Sequence, residues 1–414
     1  MIDLSLLREH TAQIKELILR KEPSFNVDGL VKLDHDARAV RAEVEAIRQE
    51  KNSLAAQGAK GLTPELREKA QSLGKDLKEK EDHLKTVEDE LKALWLSCPN
   101  LLNADVQAGN KEANKPVRFY GEKRTMSFQP KHHLDLNQKN NWFDLETATA
   151  LSGAQFVLYL EQGAKVIYAL TRMMLCNNAK HGFKPVIPPA LISEKAMYNA
   201  GNLPKFAGDF YRLPEDDNLC LIPTAEVSLT SIHANQILHA DQLPVRYAAW
   251  TSCFRREAGG YGAVERGLIR IHQFEKVEIF AITEPEESFN ELERMVTCAE
   301  SLLQELGLHY RVSLLAAQDC SFSSAKTFDI EVWLPGQGSF YEVSSASNCT
   351  DFQARRAAIR YRKTVDSKPA LAHTLNASSL ALPRLMVALM ETYQQEDGSI
   401  VLPSALQKEM DALW

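Results

Sequence analysis

Between residues 33 and 94 the apolar positions step alternately by four and three. Leu33, Ala37, Val40, Val44, Ile47 and Leu54 form one series, interrupted at Lys51. Leu66, Ala70, Leu73, Leu77, Leu84, Val87, Leu91 and Leu94 form a second, interrupted at Lys80. That spacing is a coiled-coil seam and predicts two long helices. Gly58-Ala59-Lys60-Gly61 supplies a turn between them, and Thr63-Pro64 supplies an N-cap and a first-turn proline for the second. Helices joined by so short a turn run antiparallel. At about 1.5 Å per residue they extend roughly 40 Å and roughly 50 Å. Residues 1–103 are therefore expected to be a helical domain carrying a thin arm.

The pattern changes after Cys98-Pro99-Asn100. Residues 104–135, with Gly109, Asn110, Asn114 and Pro116, read as a polar, irregular linker. From residue 136 to 414 aromatics, prolines and β-branched runs alternate with helical segments. Leu268–Phe280 reads as one long strand. Ile269, Ile271, Val277 and Ile279 would share an apolar face, and Arg270, His272, Phe274, Lys276 and Glu278 the opposite one. Phe328–Leu334 and Ser339–Ser344 flank Pro335-Gly336-Gln337-Gly338, a hairpin turn. Strands joined by a hairpin imply an antiparallel sheet, so residues 136–414 are expected to be an α+β domain.

Composition narrows the class. The chain has 414 residues, enough for two or three domains at about 150 residues each. With 44% hydrophobic and 25% charged residues it has the balance of a globular protein. No apolar run approaches the roughly 18–20 residues of a membrane span. Met1-Ile2-Asp3-Leu4 lacks the basic-then-apolar start of a secretory signal. Lys and Arg total 48 against 55 Asp and Glu, a net charge of −7, which excludes a basic nucleic-acid coat but not one RNA-binding face. The seven cysteines are scattered with no C-x-x-C pair, so neither a disulfide scaffold nor a cysteine zinc site is expected, and a reducing cytoplasm fits. His132 and His133 are adjacent, but no H-x-x-x-H is present.

Neither G-x-G-x-x-G nor G-x-x-x-x-G-K-[ST] occurs, so a nucleotide would have to be held by some other device. The row from Arg270 to Glu278 is either the floor of a polar site or an ordinary half-solvated strand face. On the hairpin's return strand Phe340, Glu342 and Ser344 would share a face. A carboxylate and a hydroxyl there could hold Mg²⁺ and phosphate oxygens. Arg384 interrupts the apolar run Leu380–Leu389. A guanidinium in such a helix needs a carboxylate or a phosphate as partner.

Taken together these segments resemble the seryl-tRNA synthetase family of class II aminoacyl-tRNA synthetases. The likeness rests on the paired arm, Leu203-Pro204-Lys205-Phe206-Ala207-Gly208-Asp209, Ile222-Pro223-Thr224-Ala225-Glu226 and Cys253-Phe254-Arg255-Arg256-Glu257-Ala258-Gly259. It continues through Arg266–Phe274, Phe352-Gln353-Ala354-Arg355-Arg356 and Thr374-Leu375-Asn376. F-R-x-E alone is weak. Followed by H-Q-F-x-K-V-E, with T-A-E before it and E-x-S-S after it, it is specific, and it runs almost end to end.

The resemblance implies a homodimer on an antiparallel catalytic floor, with the helix around Val166–Lys180 and the strand ending at Pro189 at the dimer interface. It implies ATP, L-serine and tRNA(Ser) as partners, with tRNA(Sec) a further candidate, and serine–tRNA ligase activity. Arg255 would contact the α-phosphate, with Arg256, Glu257 and Ile271 also in the ATP site. Phe274 would stack on adenine, with Arg384 on its other side and on the γ-phosphate. Glu342 and Ser345 would hold Mg²⁺, beside Val343 and Ser344; no zinc is implied. Thr224, Ala225, Glu226, Arg255, Glu278, Asn376 and Ser378 would surround the serine. Arg255, Glu257, Glu342 and Arg384 would carry the chemistry. In the arm, Arg38, Arg41, Arg48, Lys60, Arg67, Lys75 and Lys78 could meet RNA phosphates, recognised by shape.

The sequence departs from the family in places. Gly262-Ala263-Val264-Glu265-Arg266 stands where relatives usually have Gly-Arg-Asp-Thr-Arg. Ala377, Ser379 and Pro383 stand where glycine is commoner, and Gln155 replaces a commonly basic residue. Two other readings compete. A paralogue loading a different carrier would typically lack the arm and use zinc ligands. An RNA-binding module with a decayed catalytic domain should have lost Arg255, Glu257, Glu278, Glu342 or Arg384, and all five are present.

Overall fold

The computed structural model describes residues 1–58, 63–214, 216–257 and 267–414. They form two compact units, Met1–Pro99 and Asn100–Trp414. In the first unit Leu4–Glu9 (α1) and Thr11–Lys21 (α2) precede Val27–Gly58 (α3) and Pro64–Leu96 (α4). Thr63 caps α4 through an Oγ1 that accepts the Leu66 N–H at 3.3 Å, and Pro64 opens the helix. The seam buries Ala37, Val40, Val44 and Leu54 of α3 against Leu73 and Val87 of α4. Arg41 meets Glu88, Arg48 meets Glu81 and Lys69 meets Glu50 across it. Partner numbers fall on one helix as they rise on the other, which fixes an antiparallel register. Arg41 and Arg48, both proposed for RNA contact, are thus engaged inside the arm, though in exposed pairs that water weakens. Most of the connecting turn, residues 59–62, lies outside the described residues.

Eight strands build the central sheet of the second unit. They are Lys115–Tyr120 (β1), Lys184–Pro185 (β2), Val245–Phe254 (β3), Gln273–Thr283 (β4), Tyr310–Leu314 (β5), Lys326–Leu334 (β6), Ser339–Asn348 (β7) and His373–Ala381 (β8). Their spatial order is β1-β5-β6-β7-β8-β4-β3-β2. Every neighbouring pair is antiparallel except β2–β3. The strand β1 falls within the segment expected to be irregular. It is an edge strand with a register shift between Pro116 and Arg118, so neither alternation nor an uninterrupted run marked it in the sequence.

The helices Glu161–Lys180, Ser288–Glu305 and Leu382–Thr392 share one core with the sheet. Their Leu170, Met174, Met295, Leu385 and Leu389 pack with Val277, Ile279 and Ala281 of β4 and Ile330 and Val332 of β6. On the other face of β4, Phe280 and Ile282 pack against Ala225 and Leu229 of the helix Ala225–Ser231 and Ala354 and Ala357 of the helix Phe352–Ala357. Phe274, Lys276 and Glu278 continue that second face.

Two strand expectations need correction. The segment Leu268–His272 is not strand. Gly267–Ile269 is a 3₁₀ turn, and β4 starts only at Gln273. Gly267 has φ +77°, and a Cβ there would lie 2.3 Å from His133 Nε2, so the chain needs glycine to turn at this point. Arg270 and His272 therefore do not belong to the alternating row. The second correction concerns Phe340, Glu342 and Ser344. Ile330 pairs with Ser344 but Glu331 pairs with Glu342, which leaves Val343 as a bulge. The extra residue inverts the alternation. Ser345, opposite Asp329, joins the face of Glu342, and Ser344 turns to the core face, 1% exposed.

The β6–β7 turn is tied to the end of the helix Leu382–Thr392 through Glu391, which is fully buried. Its carboxylate accepts the backbone N–H of Gly336 at 3.0 Å, the Gln337 amide at 3.1 Å and the His133 N–H at 3.2 Å. His133 Nδ1 lies 3.2 Å from the same carboxylate. With His132 these ligand atoms lie within 4.8 Å of one another. Four nitrogen neighbours already satisfy the carboxylate, so the group acts as a structural knot rather than an open ligand set. Glu391→Ala is expected to destabilise the second unit by about 3 kcal/mol, because it leaves these donors buried and unpaired. Denaturant unfolding followed by circular dichroism measures it.

Candidate active site

Two cavities adjoin on the second face of the sheet, about 460 Å³ and about 140 Å³, and they share Arg255, Glu257 and Arg270 in their walls. Thr224 and Glu226 line the larger one. Ile271, Phe274, Lys276, Glu342, Ser378 and Arg384 line the smaller. Residues separated by up to 160 positions are brought together here by three neighbouring strands and the turns at their ends.

Thr224 is the N-cap of the helix Ala225–Ser231, its Oγ1 accepting the Glu226 N–H at 3.2 Å. The same hydroxyl accepts from Lys276 Nζ at 2.9 Å and donates to Glu278 Oε2 at 3.2 Å. Lys276 also pairs directly with Glu278, and both are almost fully buried. Ala225 is buried behind Glu226 in the helix's first turn. Glu226 accepts the Gln353 amide at 2.6 Å and the Asn376 amide at 3.0 Å, both on Oε1. Burial, and then the nearby Glu278 carboxylate, push Glu226 up to about 7, against the opposing pull of Gln353, Lys276 and Arg255. Ser378 stands opposite Glu278 in the β4–β8 register. The next residue, Ser379, is a bulge whose Oγ donates to Asn178 at 3.0 Å. Ala377 packs in the core and Pro383 sits in the first turn of its helix, so two of the positions where glycine is commoner have defined packing or capping roles.

Arg255 follows β3 directly. Its Nε donates to the Pro223 carbonyl at 3.3 Å, and its guanidinium lies 5.2 Å from the Phe274 ring centre. His272 anchors this strand end, accepting the Arg255 N–H at 2.8 Å on its carbonyl. Glu257, at φ +50°, pairs with Arg270 at 2.8 Å. Arg256 turns elsewhere: its N–H donates to the Asp209 carbonyl at 2.9 Å and its guanidinium lies 6.0 Å from the Tyr211 ring. The loop Gly262–Arg266 lies outside the described residues.

Arg384 finds the partner its apolar helix demands. It pairs with the Glu342 carboxylate at 3.1 Å, donates to the Glu342 carbonyl at 3.1 Å and reaches the Ile269 carbonyl at 3.4 Å. Ser345 stands on the Glu342 face and Val343 and Ser344 do not. Lys276 and Gln353 are the residues the sequence reading left without a role. Lys276 was visible in the alternating row and Gln353 in the F-Q-A-R-R segment, but a buried amide leaves no periodic trace.

Comparison with known proteins accounts for both units. Residues 211–393 match the model of the tRNA synthetase class II core domain (G, H, P, S and T), and residues 1–102 that of the seryl-tRNA synthetase N-terminal domain. The serine–tRNA ligase of Nitratidesulfovibrio vulgaris is 44% identical, covering 100% of this chain and 99% of the relative. That of Syntrophotalea carbinolica is 42% identical, covering 99% and 98%. The crystal structure of Pyrococcus horikoshii seryl-tRNA synthetase complexed with ATP superposes with a TM-score of 0.94 at 35% identity, covering 99% of this chain and 98% of that one. The cytoplasmic serine–tRNA ligase of Naegleria fowleri in complex with AMP gives 0.87 at 27% identity, covering 99% and 97%.

The carboxyl of Glu226 binds a proton more tightly in the fold than in the unfolded chain, so it favours folding at low pH and disfavours it as pH rises toward about 7. Replacing it with Gln is expected to remove a cost of about 2–3 kcal/mol at pH 8 and none at pH 4. Denaturant midpoints of both proteins at the two pH values test this. An equal difference at pH 4 and pH 8 would contradict it.

Proposed function

This chain belongs to the seryl-tRNA synthetases of class II and is a serine–tRNA ligase, and we propose that its two adjoining cavities together hold both substrates, serine beside Thr224, Glu226 and Ser378 and ATP along Phe274 and Arg384, with Arg255 between them. The observation that carries this reading is the shared wall. Arg255 borders both cavities, as a group must if it is to touch both reactants of a bond-forming step.

The serine ammonium group would be held by Glu278, Glu226 and Thr224, and its hydroxyl by this same polar set together with Ser378 and Asn376. Such a pocket rejects alanine, because the missing hydroxyl would leave buried polar groups unpaired. On the ATP side, Phe274 offers an aromatic face for adenine. Arg384 and Glu342 are paired with each other in this structure, so a triphosphate gives Arg384 an anionic partner as it releases Glu342.

The serine carboxylate then attacks the α-phosphorus in line, pyrophosphate leaves, and seryl-adenylate remains. The nucleophile is already ionised, so no general base is needed. Both reactants are anionic, so Arg255 and Arg384 offset their repulsion and stabilise charge developing on the phosphoryl oxygens. Glu342 and Ser345 form a hard-oxygen set that suits Mg²⁺, and Asp329, opposite Ser345, keeps a buried Oδ1 with no hydrogen-bond partner among the described residues. Mg²⁺ held there would neutralise phosphate charge. The terminal hydroxyl of tRNA(Ser), or of tRNA(Sec), brought in by the arm, then attacks the seryl carbonyl carbon; the ester forms, the acyl–phosphate bond breaks, AMP leaves, and the hydroxyl proton passes to the departing phosphate.

We extend the reading to a homodimer. The edge strand β2 is short and paired on one side only, and Ile187 just beyond it is 97% exposed. The seven cysteines are all unbridged, which suits the cytoplasm.

The test is ATP–pyrophosphate exchange with the purified protein, Mg²⁺ and each of the twenty amino acids, without tRNA. Exchange is expected with serine alone, and Arg255→Ala is expected to lower it by at least about a thousandfold while leaving the thermal midpoint within a few degrees. Normal exchange in that variant would overturn the assignment of Arg255.

A further inference from the structure

Gln353 lies in a segment that no part of the mechanism above uses, yet it is fully buried and one of its amide hydrogens is spent on Glu226. Its Nε2 donates to Glu226 Oε1 at 2.6 Å and to the Ala200 carbonyl at 3.0 Å. Its Oε1 accepts from Thr374 Oγ1 at 2.7 Å. A carboxylate and a carbonyl can only accept, so they fix which end of the amide faces them. The orientation of Gln353 is therefore set by its surroundings and not by its own torsional preference. Asn376 donates to the same Glu226 oxygen at 3.0 Å. Oε1 of Glu226 is thus taken up by two amides, and among the described residues Oε2 is the oxygen left for a ligand in the cavity that Glu226 lines.

We propose that Gln353 is a specificity-positioning residue of the ligase, which fixes the rotamer of Glu226 so that one oxygen is presented to serine. It touches no substrate atom and acts through Glu226. The inference rests on the reading above that Glu226 contacts serine. Without the Gln353 donor, Glu226 would face Glu278 and its own burial with only Asn376, Lys276 and Arg255 opposing protonation. Arg355 and Arg356, on the same short helix as Gln353, are directed elsewhere: Arg355 pairs with Asp351 at 2.6 Å and Arg356 donates to the Leu203 carbonyl at 2.9 Å. A protonated Glu226 holds an ammonium group poorly, so loss of Gln353 should weaken serine binding most where protonation competes.

The measurement is serine-dependent ATP–pyrophosphate exchange by the full-length protein between pH 6 and pH 8.5, for wild type, Gln353→Met and Glu226→Ala. In Gln353→Met the KM for serine should rise about tenfold at pH 6.5. The gap should close toward pH 8.5, and the KM for ATP should stay within about twofold. A serine KM unchanged at pH 6.5 would overturn the proposal, as would one raised by the same factor at every pH, since that is the mark of packing alone. Glu226→Ala separates the two levels. If it leaves the serine KM unchanged, the assignment of Glu226 itself fails; if it raises that KM while Gln353→Met does not, only the role of Gln353 fails. Should Gln353→Met fold poorly, Thr374→Val releases the amide by removing one hydroxyl, and a smaller shift with the same pH dependence is expected; no shift would again overturn the proposal.

Discussion

The second unit depends on charge buried along one face of β4. Lys276 and Glu278 are taken almost entirely out of water, a step that costs several kcal/mol for each ion unless it is offset by partners. Lys276 meets Glu278 and Thr224, Thr224 caps the helix that carries Glu226, and Glu226 is held by Gln353 and Asn376. Each group satisfies its neighbour, and Thr224 and Glu226 border the larger cavity. In the proposed reading, the ammonium group and hydroxyl of serine occupy that opening. On that reading, the polar set that makes the pocket costly to assemble would also make it selective.

The smaller cavity follows a different logic. Arg384 and Glu342 neutralise each other in this structure and lie at the mouth of the smaller cavity, partly exposed. A pair of that kind is weak in water and exchanges partners readily. The bulge at Val343 makes this arrangement possible. Without it Ser345 would point to the opposite face from Glu342, and the oxygen set suited to a hard cation would not exist. A second bulge, at Ser379, keeps Ser378 opposite Glu278 while the strand runs on into the helix that carries Arg384.

The arm works on simpler terms. Its two helices bury a narrow apolar seam and exchange ion pairs across the flanks, so they are held together by a seam and not by a globular core. A rod bearing mixed charge suits a structured RNA recognised by shape.

Where periodicity coincided with capping and turn residues, the sequence alone determined the structure. The coiled-coil series placed α3 and α4, Thr63-Pro64 placed the start of the second helix, and the glycine-rich turn after Leu334 placed the β6–β7 hairpin. The row Phe274, Lys276 and Glu278 was legible from its alternation, and the motif residues around it pointed to the family. Tertiary structure alone decided what happens where periodicity breaks. Gly267 turns the chain at a positive φ where His133 leaves no room for a Cβ, so Arg270 and His272 leave the row that alternation assigned to them. A single extra residue at Val343 exchanges the faces of Ser344 and Ser345. Gln353 acquires its place only when Ala200, Glu226 and Thr374, distant in sequence, close around it. Local pattern records which face of an element is apolar. It cannot record which buried polar groups meet, because that depends on contacts made by other parts of the chain.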